Sequence, residues 1–199
     1  MTQQVPDPQS IHPEMQLLMS ARKPAPAGQT LAQARAAWAA YSAALSQPHP
    51  ASMAVHDRAV ASGDVDVPVR IYRPAGPDGP RPCIIYMHGG GFMKGDLDSS
   101  DTNAWGYAQE TGACVVSVDY RLSPEHAHPA AFDDCYGVLC WLAREGGTVG
   151  IDTARIAVAG DSAGGSLAAA LSLAARDREG PAIAAQLMLY PCTGTDLRS

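Results

Sequence analysis

The sequence predicts an α/β domain with a mostly parallel sheet, because short apolar runs alternate with segments of helical spacing. Runs that are apolar on both faces are typical of buried parallel strands. Four such runs cover residues 83–87, 113–118, 155–159 and 185–190. Three helical segments cover residues 102–111, 130–145 and 163–178. We therefore expect parallel strands joined by crossover helices.

Residues 1–50 have helical patterns and no strand pattern. One helix is predicted over Thr30–Leu45, with Thr30 as its N-cap, and a shorter one over residues 12–20. The longer segment has apolar residues at helical spacing: Leu31, Ala34, Trp38, Tyr41 and Leu45. We expect residues 1–50 to form a helical region and residues 51–199 to form the α/β core.

The core is predicted to begin with an antiparallel hairpin. Residues 65–72 alternate between apolar and polar side chains, and residues 53–60 precede them across the turn Ser62-Gly63-Asp64. Alternation with a period of two, interrupted by a glycine turn, is typical of two paired strands.

Composition excludes several classes of protein. The net charge is −6, and no basic run exceeds the pair Arg22-Lys23, so a nucleic-acid or anionic-membrane surface is not expected. No signal-peptide pattern and no run of about 18 apolar residues is present, which predicts a cytoplasmic protein without a membrane span. The five scattered cysteines fit no metal or redox motif, and we expect them to be buried and reduced.

A serine lies between glycines where the third buried strand gives way to a helix. The segment Gly160-Asp161-Ser162-Ala163-Gly164 has the pattern G-x-S-x-G. A sharp strand-to-helix turn would expose the serine hydroxyl, and the helix N-terminus would provide free N–H groups for a developing oxyanion. The alternative is a tight turn whose serine merely caps the helix.

Three consecutive glycines follow the first buried strand, in His88-Gly89-Gly90-Gly91. Such a run costs backbone entropy unless the chain must adopt unusual dihedrals or approach a ligand closely. Lipases and esterases use H-G-G-G before the serine motif to form an oxyanion loop. The alternative is a flexible glycine turn.

Three motifs together resemble the hormone-sensitive lipase family of α/β-hydrolases, in its bacterial carboxylesterase branch. They are H-G-G-G-F-M-K-G-D-L-D at 88–98, S-V-D-Y-R-L-S-P-E-H-A-H-P-A-A-F-D-D-C-Y at 117–136 and R-I-A-V-A-G-D-S-A-G-G-S-L-A-A at 155–169. The sequence departs from the family pattern at Ser123, where alanine is usual. The resemblance implies the α/β-hydrolase fold, and it makes residues 1–50 similar to the family's N-terminal cap.

The same resemblance implies roles for individual residues. Ser162 would be the nucleophile. The oxyanion hole would be formed by backbone N–H groups, with Gly90 and Gly91 the favoured loop donors among Gly89, Gly90, Gly91 and Ala163. Residues supporting the site would be His88, Asp161, Glu125 and Asp134.

The base that would activate Ser162 is not evident in the sequence. In α/β-hydrolases the triad follows the order Ser, Asp or Glu, then His. All six histidines precede Ser162 here. We therefore expect this chain to correspond to the N-terminal two-thirds of an esterase that lacks the last strands, with an uncovered sheet edge at residues 187–190. A complementary C-terminal segment is the expected partner.

The sequence thus predicts a serine carboxylesterase that hydrolyses short-chain carboxylic esters through an acyl-enzyme, without metal or cofactor. By itself the chain should be almost inactive. A non-catalytic ligand-binding protein on the same scaffold is the alternative, favoured by the absence of a histidine after Ser162. Amidase or peptidase activity with the same residues also remains open.

Overall fold

A computed structural model describes residues 12–24 and 26–194. In this part of the chain the helices are α1 (Gln16–Ala21), α2 (Leu31–Leu45), α3 (Asp101–Thr111), α4 (Ala130–Glu145) and α5 (Ala163–Asp177). The strands are β1 (Ala54–Ser62), β2 (Val65–Arg73), β3 (Arg81–Met87), β4 (Cys114–Val118), β5 (Ile151–Asp161) and β6 (Ala185–Leu189). Short 3-10 helices cover Pro13–Met15 and Gly146–Val149.

The strands form one mixed sheet in the order β1-β2-β4-β3-β5-β6. β1 and β2 form the predicted antiparallel hairpin, and β2 pairs antiparallel with β4. The remaining pairs, β3 with β4, β3 with β5 and β5 with β6, are parallel. The predicted α/β architecture is therefore confirmed.

Helices cover both faces of the sheet. On one face α4 and α5 bury apolar side chains against β3, β4 and β5, including Leu139, Leu142 and Leu171. On the other face α3 packs through Ala104 and Ala108. All five residues of β4 are buried, which is why its sequence is apolar without alternation. Because β3 and β5 pair in parallel, their carboxyl ends lie side by side.

The N-terminal helices differ from the core in burial. The predicted N-cap Thr30 is confirmed, because its side chain accepts a hydrogen bond from the N–H of Gln33 in a capping box. No side chain of α2 is fully buried. The helix predicted over residues 12–20 is shorter, beginning at Gln16, and its Met15 and Met19 are exposed rather than packed.

Two other expectations need correction. β5 begins at Ile151, four residues before its apolar run, because Ile151 is buried and pairs with Arg81, although Thr153, Ala154 and Arg155 are exposed. Cysteine burial holds for Cys83, Cys114 and Cys135, but Cys192 is exposed. Its position after β6, outside any apolar run, explains the error.

Among the residues that the structure describes, β6 pairs only with β5 and is an edge strand. Leu187 is 43% exposed and Met188 is 39% exposed. The predicted uncovered edge is thus present. Within the described residues, no helix combines the length and apolarity that crossing a membrane requires.

Candidate active site

Ser162 lies at the junction between β5 and α5. Its backbone has φ 53° and ψ −118°, a conformation that residues with a side chain rarely adopt. Its N–H donates to the carbonyl oxygen of Leu189 on β6, at 2.9 Å. We call residues 160–164 the serine turn. The strained dihedrals reverse the chain sharply, as predicted for a strand-to-helix elbow.

The Ser162 hydroxyl does not cap α5. The side chain makes no capping hydrogen bond with the first turn of that helix. The Ser162 carbonyl oxygen instead accepts from the N–H of Ser166 at 3.1 Å, as the carbonyl group of an N-cap residue does. The strained backbone is thus not explained by a capping role.

Close packing explains the two glycines of the serine turn. A Cβ on Gly164 would overlap the Met87 carbonyl oxygen at the end of β3, and it would lie 2.7 Å from the His88 carbonyl oxygen. A Cβ on Gly160 would overlap the Gly164 carbonyl group. The serine turn therefore rests directly on the point where β3 ends.

The segment after β3, residues 88–94, is here called the glycine loop. Gly90, Gly91 and Phe92 have positive φ values of 132°, 66° and 61°. The Gly90 carbonyl oxygen accepts from the N–H groups of Met93 and Lys94 at 3.3 and 3.1 Å. These bonds close the loop into a defined turn, which argues against a merely flexible glycine segment.

His88 lies at the base of the glycine loop. Its side chain is 2% exposed and stacks on Tyr120, with ring centroids 4.3 Å apart. Nδ1 lies 2.8 Å from the Gly89 carbonyl oxygen and must donate to it, and Nε2 has no partner among the described residues. Burial lowers the pKa of His88. Its position fits the structural role expected of it.

Asp161 lies against the start of the glycine loop. Its Oδ1 accepts a 2.6 Å hydrogen bond from the Tyr86 hydroxyl, which accepts in turn from Asn103. A Cβ on Gly89 would overlap Asp161 Oδ2. The carboxylate therefore lies between β3 and the loop and does not project as a free group.

Asp134 and Tyr120 hold the neighbouring loop. Asp134 is 1% exposed on α4 and accepts from the N–H and the guanidinium of Arg121, with Nη2 at 2.8 Å. The adjacent Tyr120 donates its hydroxyl to the His88 carbonyl oxygen at 2.7 Å. Within the described residues, Asp134 is thus linked to the glycine loop only indirectly, through Arg121 and its neighbour Tyr120.

Glu125 faces α2. Its two carboxylate oxygens each accept a 2.7 Å bond from Arg35, which holds the pKa of Glu125 at about 2. Arg35 was not among the residues predicted from the sequence. Its position four residues after Leu31 and three before Trp38 places it beside the predicted apolar face, which was the available signal.

The structure brings Ser162, Ala163 and the glycine loop together, and the Nδ1 atom of His88, the one histidine of that loop, is bonded to the Gly89 carbonyl oxygen rather than to Ser162. The other five histidines are exposed: His12, His49, His56, His126 and His128. Within residues 12–24 and 26–194, no hydrogen bond links a histidine to the Ser162 hydroxyl. In the same part of the chain, no group of three or more His, Cys, Asp or Glu side chains is placed to hold a metal ion.

This geometry agrees with comparisons to known proteins. Residues 84–199 match the profile of a family described as having the alpha/beta hydrolase fold. The chain belongs to this family. The hormone-sensitive lipase resemblance noted from its motifs is confirmed by the relatives it matches.

Several relatives of this α/β-hydrolase are named for esterase activity. Esterase LipI of Mycobacterium tuberculosis is 47% identical over 149 residues, covering 74% of this chain and 47% of LipI. Carboxylesterase NlhH of the same organism is 45% identical over 144 residues, covering 72% of this chain and 45% of NlhH. The chain thus spans about half the length of the curated relatives it matches.

Solved structures show the same relationship. An esterase from the archaeon Pyrobaculum calidifontis superposes with a TM-score of 0.82 at 36% identity, covering 92% of this chain and 59% of the esterase. The ester-hydrolase EH1AB1 from the metagenome of Lake Arreo superposes with a TM-score of 0.83 at 33% identity, covering 94% of this chain and 59% of the EH1AB1 chain. The α/β-hydrolase therefore shares its fold with structurally characterised esterases.

Proposed function

We propose that this α/β-hydrolase provides the nucleophile and the oxyanion hole of a serine carboxylesterase acting on short-chain carboxylic esters. One observation carries the proposal. The serine turn packs directly on the end of β3, so Ser162 and the glycine loop lie together at the carboxyl ends of the parallel strands β3 and β5. Nucleophile and oxyanion donors must converge on a single carbonyl group, and adjacent parallel strands supply that convergence.

In the proposed reaction the catalytic base takes the proton of the Ser162 hydroxyl as the Ser162 oxygen attacks the ester carbonyl carbon. The N–H groups of Ala163 and of the glycine loop, chiefly Gly90 and Gly91, stabilise the negative charge that develops on the carbonyl oxygen. The carbon–oxygen bond to the alcohol then breaks, and the alcohol leaves with a proton from the catalytic base. Water hydrolyses the resulting acyl-enzyme and regenerates the hydroxyl.

We assign supporting roles to residues around this centre. Residues 1–50 act as a cap that limits the pocket to short acyl chains, over a core formed by residues 51–199. His88, Asp161, Glu125 and Asp134 support the site. None of these four would exchange protons with the substrate: each is engaged with loop backbone or a neighbouring side chain.

The catalytic base and its carboxylate are proposed to come from a complementary polypeptide segment. Family order places them after the serine, whereas all six histidines here precede Ser162. The exposed edge of β6 would receive the segment, since Leu187 and Met188 lie exposed there. This edge adjoins the site, because the β6 residue Leu189 accepts the Ser162 N–H.

The proposal is tested by hydrolysis of p-nitrophenyl acetate and by labelling with a fluorophosphonate. The 199-residue chain alone should turn over at least about 10⁴-fold more slowly than an intact esterase, the usual cost of losing triad members. Adding the C-terminal half of Carboxylesterase NlhH should raise both turnover and labelling. Ser162→Ala should abolish labelling, while Ser172→Ala, on the same helix, should not.

Two results would contradict the proposal. Turnover by the chain alone at the rate of an intact esterase would show that no outside base is needed. A chain that binds an ester tightly but is never labelled, with or without the added segment, would instead be the ligand-binding protein favoured by the absence of a histidine after Ser162.

A further inference from the structure

We propose that α2 clamps the glycine loop in its working shape and that Arg35 is the main positioning residue of this clamp. The inference rests on the proposed function, because it assigns to the cap helix a role in ordering the oxyanion donors. It goes beyond limiting the size of the pocket. It is carried by two contacts from one face of α2, made by Arg35 and Trp38.

Arg35 joins three separate parts of the chain. Its Nε donates to the Met93 carbonyl oxygen at 2.7 Å, in the glycine loop. Nη2 donates to the Ser123 carbonyl oxygen at 3.1 Å. Both terminal nitrogens bind Glu125 at 2.7 Å. The bidentate carboxylate orients the planar guanidinium so that its remaining N–H groups point at the two carbonyl oxygens.

Trp38 supplies the second contact, one helical turn along α2. The Lys94 ammonium lies 5.0 Å from the centroid of the Trp38 ring, in range of a cation–π interaction. Arg35 and Trp38 are three residues apart and therefore share a helix face. Two consecutive residues of the glycine loop, Met93 and Lys94, are thus fixed to the same helix.

Movement at Met93 and Lys94 is transmitted to the proposed oxyanion donors. Both N–H groups donate to the Gly90 carbonyl oxygen, and a Cβ on Gly90 would overlap the Lys94 carbonyl group. The Phe92 carbonyl oxygen accepts from the Ser123 N–H at 2.8 Å, which ties the loop to the segment that Arg35 also holds. The peptide planes of Gly90 and Gly91 therefore depend on the clamp.

Hydrogen exchange tests the clamp without requiring any chemistry at Ser162. In the 199-residue chain carrying Arg35→Met, the Met93 and Lys94 amides should exchange about tenfold faster, since a net hydrogen bond to a charged group is worth that factor or more. Arg35→Lys should give a smaller increase in the exchange rate, because lysine keeps the positive charge but not the planar set of N–H donors of the guanidinium. Arg155→Met removes a remote exposed ion pair and should leave these amides unchanged.

Unchanged exchange in Arg35→Met, with the fold intact by circular dichroism, would overturn the clamp. If Arg35→Met does not fold, Arg35→Lys decides in its place, and wild-type exchange in that variant overturns the proposal. Fluorophosphonate kinetics then separate positioning from general stability. Arg35→Met should lower the inactivation rate constant with no change in apparent reagent affinity, and Arg35→Lys should restore part of it.

A wild-type chain that never reacts with the fluorophosphonate, with or without an added C-terminal segment, would count against the proposed function. The exchange measurement would still decide the clamp, so the two failures can be told apart. An equal fall in the inactivation rate for Arg35→Met and for Arg155→Met would assign the effect to overall destabilisation and would contradict the positioning role.

Discussion

At the residue scale, the burial of His88 makes the stability of the fold depend on pH. Burial lowers its pKa, with a partial offset from its bond to Gly89 and from the carboxylates of Asp161 and Asp96. A histidine with a lowered folded pKa binds its proton more readily in the unfolded chain. Acidification below the unfolded value of about 6.5 therefore favours unfolding.

We predict that the wild-type protein loses up to about 1 kcal/mol of stability between pH 7 and pH 5.5 that His88→Phe does not lose. Phenylalanine keeps the stack on Tyr120 and removes the titrating group. Urea unfolding of both proteins at the two pH values measures the difference. Identical pH dependence in the wild-type protein and in His88→Phe would contradict the prediction.

At the scale of elements, the serine turn can contact β3 closely because position 164 is a glycine, which has no side chain. Gly164→Ala would force a methyl group into the Met87 carbonyl oxygen, and backbone on both sides leaves little room to relax. We predict a loss of about 3 kcal/mol in unfolding free energy, at the upper end of the cost of overpacking. Urea denaturation at constant pH measures it.

Gly106→Ala is the matched control, because it also adds one methyl group to a helical glycine. Nothing lies within 4 Å of the added Cβ in α3. The variant should gain about 0.5–1 kcal/mol from helix propensity. Equal effects from the two substitutions, in either direction, would show that the approach of Gly164 to β3 is not a steric limit.

An element could be predicted from the sequence where its own residues carry the pattern that defines it. The bounds of α4 were predicted to the residue, because its apolar spacing is strong and both ends are marked by a change of pattern. The start of β5 was missed, since residues 152–154 carry no strand pattern and lie in an irregularity between the pairs Ile151–Arg81 and Ile156–Cys83. Pairing between distant strands has no local signal.

For the whole molecule, the motifs could be predicted from the sequence, but the long-range contacts that support them could not. Ser162 and the glycine loop were predicted because the turn geometry needs glycine at fixed spacing. The bonds from Arg35 to Glu125 join residues 90 positions apart, and that pairing leaves no trace in spacing. The partners of Asp161 and Asp134 were likewise visible only once the strands and helices were assembled.

The described part of the sheet has two edge strands, β1 and β6, and the exposed edge at β6 favours self-association of the isolated 199-residue chain. β6 pairs on one side only, and it combines unpaired backbone groups with the partly exposed side chains of Leu187 and Met188. Native edge strands usually carry lysine or another charge that prevents such pairing, and β6 carries none. The isolated 199-residue chain should therefore associate at increasing concentration.

We predict that Leu187→Lys weakens this association by about tenfold or more, a change of about 1.4 kcal/mol, because two copies would bring like charges together at the paired edge. Sedimentation velocity over a concentration series measures it. Leu17→Lys is the matched control, since Leu17 is also exposed, at 56%, but lies on α1. A wild-type chain that sediments as a concentration-independent monomer, or an equal effect of both lysines, would show that β6 is not the associating edge.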